Sequence, residues 1–404
     1  MNEQTLSKRF VEGWEQLAPI GQRSDGGYDR FSFTDADMAL RQWFIDEAQK
    51  RNLTVEVDRN ANLWAWWGEP GDTAIVTGSH LDSVPGGGAF DGPLGVWSGF
   101  LAIDLLQSRG RPPRPLAVVN WSDEEGARFG VACMGSRLAT GTLSPGDARR
   151  LRDQDGVSFE DALRHVGYDP QQIGADDERL KKIGAFVELH VEQGRALIDF
   201  DEAVGAATVI WPHGRWRIDF VGEANHAGTA RLEDRRDPVL SFSLFALAVR
   251  EEAQKHNSLA TLGRAKVTPN ATNGVAANVA SWLDARAPDE ETLDRLVKAI
   301  VERAHQAGNQ HGVSVSVSQE SHTKAVVFDE LLRNNMVEIL GPIPQIPTGA
   351  GHDAGILAAR IPTAMLFVRN PSGVSHSPQE YAELSDCVAG VYALAKVLET
   401  LAWA

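Results

Sequence analysis

The sequence predicts an α/β protein with a mixed, mostly parallel sheet flanked by helices, into which an α+β segment is inserted. Three observations carry this. Apolar runs at Thr73–Gly78, Leu116–Trp121 and Ala185–Leu189 are nearly unbroken, as strands covered on both faces are. They alternate with stretches of helical periodicity. Beyond about residue 205 the pattern changes, and Arg215–Val221 alternates polar with apolar residues like a one-faced antiparallel strand.

Taken in order, Thr34 precedes a periodic segment, Asp35–Arg51, that reads as a capped helix. Thr54–Asp58 and Asn62–Trp67 are short β-rich runs, and Trp64, Trp66 and Trp67 are read as packing a strand. Thr73–Gly78 ends in Ser79-His80, Leu94–Gln107 is helical, and Ala185–Leu189 ends at His190. Then come a strand at Arg215–Val221, a helix at Pro238–Lys255, strands around Val267 and Trp282–Ala285, a helix at Glu290–Ala307 and a strictly alternating Val313–Ser318. That order is the β-α-β-β-α-β arrangement. After about residue 322 the α/β style returns and closes with a helical pattern from Val388 to Ala404. The expected domains are therefore 1–206 with 322–404, and an inserted 207–321.

Bulk properties agree. The chain of 404 residues exceeds the roughly 250–300 residues at which one core stops growing. A formal net charge of −16 argues against a nucleic-acid partner. A small anionic substrate would then need a local cluster of Arg or His. Cys133 and Cys387 are the only cysteines and form no CxxC pair, which suits a reducing, cytoplasmic setting. Met1–Leu17 carries Glu3, Glu12 and Glu15 with no apolar stretch, so no secretory signal is expected. No apolar run approaches the roughly 20 residues that span a bilayer.

Five segments place metal-type ligands beside glycine or at strand ends. Gly78-Ser79-His80-Leu81-Asp82 delivers His80 to the sheet edge where open α/β sheets bind ligands, with Asp82 in place to orient the imidazole. The glycines of Gly86-Gly87-Gly88-Ala89-Phe90-Asp91-Gly92 allow a tight turn that brings Asp91 inward. Ser122-Asp123-Glu124-Glu125-Gly126 follows a strand directly; Glu188-Leu189-His190-Val191-Glu192-Gln193-Gly194 and Gly373-Val374-Ser375-His376-Ser377-Pro378 complete the set. Each motif by itself is weak, since a strand-end His is more often a hydrogen-bonded structural residue and a Glu-Glu pair is usually solvated surface. Together, three His and several carboxylates at strand-to-loop junctions suit Zn²⁺ or Mn²⁺ rather than Ca²⁺ or an iron–sulfur centre.

The runs GSHLDSVPGGGAFDGPLGV, DEEGARF, ELHVEQG, NHAG, GAGHDA and GVSHSP, in that order, resemble the zinc-dependent aminoacylase and carboxypeptidase-G superfamily. Within it, the chain is similar to the N-carbamoyl-L-amino-acid hydrolase, β-ureidopropionase and allantoate amidohydrolase family from about Arg30 to Trp403. The resemblance implies a zinc-exopeptidase-like catalytic domain with a ferredoxin-like lid and dimerisation domain inserted, and hence a homodimer. It implies two divalent ions per subunit: one on His80 and His190, the other on Glu125 and His376, with Asp91 shared. Glu124 would be the general base. Arg286 would fork onto a substrate carboxylate, Asn273 would bind the same end, His226 would steady the developing oxyanion, and Gln193 and His352 would complete the pocket. The implied reaction cleaves a ureido C–N bond of an N-carbamoyl-L-amino acid or of allantoate, releasing ammonia and CO₂. An N-acylamino-acid hydrolase or dipeptidase with the same centre is the alternative, and a catalytically silent binding protein the third reading. The chain departs from the family pattern at 211–214, 230–232 and 274–278, where substrate choice is made. His165, His213, His256, His305, His311 and His322 fit no motif and are read as structural or exposed.

Overall fold

A computed structural model describes residues 1–71 and 73–404. It divides into two compact units, Met1–Val209 with Val327–Ala404, and Ile210–Val326.

In the first unit the strands lie in the spatial order Thr54–Val57, Leu63–Trp67, Leu116–Trp121, Ala74–His80, Ile183–Val191, Thr363–Val368 and Val204–Ile210. The four central ones are parallel, and the flanking pairs are antiparallel. The central strands are buried almost throughout, so their sequences run apolar without alternation. Alternation survives in where the side chains go. Ala185, Val187, Leu189 and Val191 join the core formed with the helices Glu3–Leu17, Pro93–Leu106 and Leu384–Ala402. The intervening Glu188 and His190 therefore project from the opposite face.

The Pro93–Leu106 helix starts at a Pro in its first turn and is buried nearly all round, as its uniformly apolar sequence requires. The tryptophan run packs the sheet: Trp64 stacks on Trp66 and meets Trp121 edge-on, while its indole N–H donates to Asp58 at 3.0 Å. Among the described residues, no helix is long and apolar enough to cross a membrane.

One buried cation ties the Asp35–Lys50 helix to the sheet edge. Arg41 donates to Asp37 Oδ2 (2.8 Å), the Ala61 carbonyl (2.6 Å) and Ser122 Oγ (2.7 Å). Replacing Arg41 by Ala leaves Asp37 buried without its partner. The expected loss of stability is about 3–5 kcal/mol, read as a lowered denaturant midpoint. An unchanged midpoint would show that the pair carries no net stability.

The second unit is a four-stranded antiparallel sheet in the spatial order Ser314–Thr323, His213–Val221, Asn278–Arg286, Leu259–Thr268. The helices Pro238–Lys255 and Glu290–Gln310 cover one face. Trp216, Ile218 and Phe220 point into that core while Arg215 and Arg217 face outward, which is the alternation read from the sequence.

Candidate metal centre

Three strand ends and two loops of the first unit converge. His80 ends the Ala74–His80 strand, and His190 stands one residue before the end of Ile183–Val191. Glu124 and Glu125 follow Leu116–Trp121 after a turn in which Asp123 adopts a left-handed φ of 54°. Asp91 lies in the glycine-rich loop, and His376 in the loop after Thr363–Val368.

Two glycines explain why that loop reads as it does. Gly92 has φ 87°, and a Cβ there would sit 2.5 Å from the His80 imidazole. A Cβ on Gly88 would run into the Glu380 carboxylate. That carboxylate accepts the N–H groups of Phe90 and Asp91, both at 2.9 Å, and the Ser375 hydroxyl at 3.0 Å. Glu380 thereby fixes the backbone that carries Asp91.

Asp91 divides its two oxygens. Oδ1 lies 3.2 Å from His190 Nε2 and 3.5 Å from His80 Nε2. Oδ2 lies 3.3 Å from His376 Nε2, which is itself 3.4 Å from Glu125 Oε1. The ligand atoms of His80, Asp91 and His190 all fall within 4.8 Å of one another, as do those of Asp91, Glu125 and His376.

These residues fit divalent cations. His80 Nδ1 lies 3.0 Å from the Asp82 carbonyl, and His190 Nδ1 lies 2.9 Å from the Val191 carbonyl. A carbonyl oxygen can only accept, so each Nδ1 carries a proton and each Nε2 turns towards the shared carboxylate. His190 Nε2 is buried with no hydrogen-bond partner. An imidazole nitrogen facing a carboxylate oxygen needs a positive charge between them, supplied by a proton or a metal ion. Asp82 orients the His80 imidazole, as expected, and does more. Its main-chain oxygen holds His80, while its carboxylate accepts the N–H groups of Glu124 and Glu125 at 3.0 Å each. It therefore aims two neighbouring functional groups at once.

The electrostatics point the same way. Burial opposes charge on Asp91, but the facing imidazoles of His190, His376 and His80 hold its carboxyl well below the usual range. Burial also disfavours the His80 imidazolium, yet Asp91, Glu124 and Asp82 raise it well above its ordinary value. His376, first through its contact with Asp91, is raised to about 9. Burial, then the Asp91 charge, pushes Glu125 up to about 7. Glu124 is raised well above the carboxylate range, chiefly by burial with Asp353 and Glu125 adding to it. The cluster is thus short of positive charge.

Gln193 donates to Asp91 Oδ2 (2.8 Å) and Ser375 Oγ (3.2 Å) and lies beside His376. His352 packs edge-on against His190, with ring centres 4.5 Å apart, and its buried Nε2 has no partner. Burial, then the charge on His190, keeps its pKa well below the ordinary value, so the ring is neutral. Glu188, His190 and His352 form another close group. Glu188, however, is engaged by Ser79 Oγ at 2.6 Å and the Ala354 N–H at 3.1 Å, which makes it a support beneath His190.

The remaining residues singled out in the sequence lie in the second unit. His226 and Gly274 face each other across a two-residue ladder, and the Asn273 carbonyl accepts the Ala227 N–H at 3.0 Å. His226 is exposed, and its Nδ1 accepts the Gly228 N–H at 2.9 Å, so a neutral ring carries its proton on Nε2. Arg286 ends Asn278–Arg286 and donates to both Asp284 oxygens, at 2.8 and 3.2 Å, so Asp284 fixes one edge of the guanidinium. Sequence reasoning gave no role to Glu380, Glu188, Asp353 or Cys133, although Glu188 and Asp353 lie in motifs it singled out and Glu380 stands four residues beyond His376 in the same loop.

A parallel-centred α/β sheet that gathers, at its strand ends, His and carboxylate groups able to hold a metal ion beside the buried Glu124 has the arrangement of a metal-dependent hydrolase. The chain belongs to peptidase family M20/M25/M40, which matches residues 76–400. It is 34% identical to an N-carbamoyl-L-amino acid amidohydrolase of Geobacillus stearothermophilus, over 98% of each chain. It is 32% identical to an allantoate amidohydrolase of Bacillus subtilis, over the whole of both. Among solved structures, an amidase of the hydantoinase/carbamoylase family from Burkholderia multivorans superposes with a TM-score of 0.87 at 30% identity, covering 98% of each chain.

Proposed function

We propose that the protein hydrolyses the ureido C–N bond of a small carboxylate substrate, an N-carbamoyl-L-amino acid or allantoate, using two Zn²⁺ or Mn²⁺ ions per subunit. The observation that carries this is the division of Asp91: one oxygen towards His80 and His190, the other towards His376 and Glu125. The names of the relatives supply the ureido bond.

In this reading His80 and His190 hold one ion, Glu125 and His376 the other, and Asp91 both. Metal ions bound by these residues would supply Lewis acidity for the scissile carbonyl and a more acidic water. Glu125 and Asp91 have their charge committed, so proton transfer falls to Glu124. Its Oε2 faces the cluster, 3.8 Å from His80 Nε2. Glu124 takes a proton from the attacking water and returns it to the leaving nitrogen. Breaking one C–N bond leaves a carbamate, which then loses CO₂, so the final products are ammonia, CO₂ and the freed amine. In the first unit, His352 beside His190 and Gln193 beside Asp91 would contact the substrate. In the second unit, Arg286 and Asn273 take the substrate carboxylate, and the exposed Nε2–H of His226 donates to the developing oxyanion.

The test is release of the free amino acid by metal-loaded protein over a panel of carbamoyl, acetyl and dipeptide substrates, with ammonia followed for the carbamoyl ones, before and after chelation. Faster turnover of acetyl or dipeptide substrates would replace the ureido reading by an N-acylamino-acid hydrolase or dipeptidase. Full activity after exhaustive chelation would end the metal reading. Arg286→Ala is expected to raise KM about 30-fold, or about 2 kcal/mol, with a smaller change in kcat, because a forked contact to a carboxylate is lost. An unchanged KM would place the carboxylate elsewhere.

We further propose a homodimer formed through the second unit, acting in the cytoplasm, where its two buried free thiols stay reduced. Leu240, Leu244 and Leu247 form an exposed stripe on the Pro238–Lys255 helix, and Leu259 begins the edge strand Leu259–Thr268. A monomer mass in sedimentation would overturn this.

A further inference from the structure

The reaction outlined above makes no use of Cys133. The residue is 3% exposed, and its Sγ donates to Glu124 Oε1 at 3.0 Å. The other oxygen of that carboxylate, Oε2, is the one facing His80. The two oxygens are thus distinguished: one held by the thiol, one presented to the ligand cluster.

The backbone is arranged to make this contact. Cys133 has φ 56° and ψ 41°, a left-handed conformation that costs a residue with a side chain roughly 1–2 kcal/mol. Its main-chain N–H donates to the Glu124 carbonyl at 2.6 Å. The next two N–H groups, of Met134 and Gly135, donate to the carbonyls of Asp123 at 3.0 Å and Ser122 at 2.8 Å. The start of the Met134–Thr140 helix is therefore laced to Ser122–Glu124 at three successive residues, and the thiol extends the lacing to the carboxylate itself.

We propose that Cys133 is a positioning residue for Glu124, holding Oε1 so that Oε2 is aimed at the attacking water. This rests on the reading of Glu124 as the proton-transfer group. A thiol suits the task because it is a weak donor: it sets the direction of the carboxylate while leaving its lone pairs available.

The experiment compares wild type, Cys133→Ala, Cys133→Ser and Cys133→Gly, all metal-loaded, on whichever amide or ureido substrate wild type turns over fastest. Bound metal is measured for each. Cys133→Ala is expected to lower kcat about tenfold, with KM within about twofold and metal content unchanged. Cys133→Ser restores a donor and should recover most of that loss. Cys133→Gly suits the left-handed backbone, so it keeps the test decisive if the alanine variant folds poorly, and its kcat should also fall. Wild-type kcat in both the Ala and Gly variants overturns the proposal, and so does a serine variant as slow as alanine, which would make the effect one of packing. A wild-type protein inactive on every substrate overturns the reading of the site, and this inference with it; an active wild type matched by its Ala and Gly variants overturns this inference alone.

Discussion

Glu124→Gln is expected to lower kcat by about 10²–10⁴-fold, equivalent to roughly 3–5 kcal/mol, while bound metal stays at the wild-type level. The amide keeps the size of the side chain, and its oxygen still accepts from Cys133 Sγ. What disappears is a group that can accept a proton in the water-excluded interior. The proposed ligands His80, Asp91, Glu125, His190 and His376 are untouched, so metal analysis separates loss of chemistry from loss of the centre. Near-wild-type kcat would remove Glu124 from the reaction, and a matching loss of metal would make it a ligand.

Asp91→Asn should be as severe for a different reason. One carboxylate serves both ligand triads, and an amide presents one oxygen and one N–H₂ group where two anionic oxygens are needed. The expected result is loss of at least one ion per chain together with loss of turnover. Stability gives a second readout. Metal at 1,000 times its Kd should stabilise wild type by about 4 kcal/mol per site. The variant should gain far less, and a metal-induced rise in Tm equal to that of wild type would mean that Asp91 does not hold the ions.

Much of this could be read along the chain. Thr73–Gly78, Leu116–Trp121 and Ala185–Leu189 are apolar over several consecutive residues, and all three fall in central parallel strands. The alternation of Arg215–Val221 marked a strand with one wet face, and the structure buries Trp216, Ile218 and Phe220. The glycines around Asp91 signalled a tight turn, and the structure adds a close approach between Gly92 and His80. Other features had no local sign. The antiparallel edges of the large sheet do not follow from the composition of Thr54–Val57 or Leu63–Trp67. Asp82 was expected to orient the His80 imidazole and does so through its main-chain oxygen, but nothing local showed that its carboxylate also accepts the N–H groups of Glu124 and Glu125, more than 40 residues away in the chain.

The sequence by itself determined the central strands, the longer helices of the second unit, and which histidines and carboxylates stand at strand ends. Those are short-range properties, set by the period of the apolar pattern and by the turn chemistry of glycine. Only the tertiary structure decided that Glu380 anchors the Asp91 backbone across 289 residues, that Cys133 reaches Glu124, and that Asp91 divides its oxygens between two groups. Such contacts depend on sheet register and loop closure, which bring together atoms with no periodic relation along the chain.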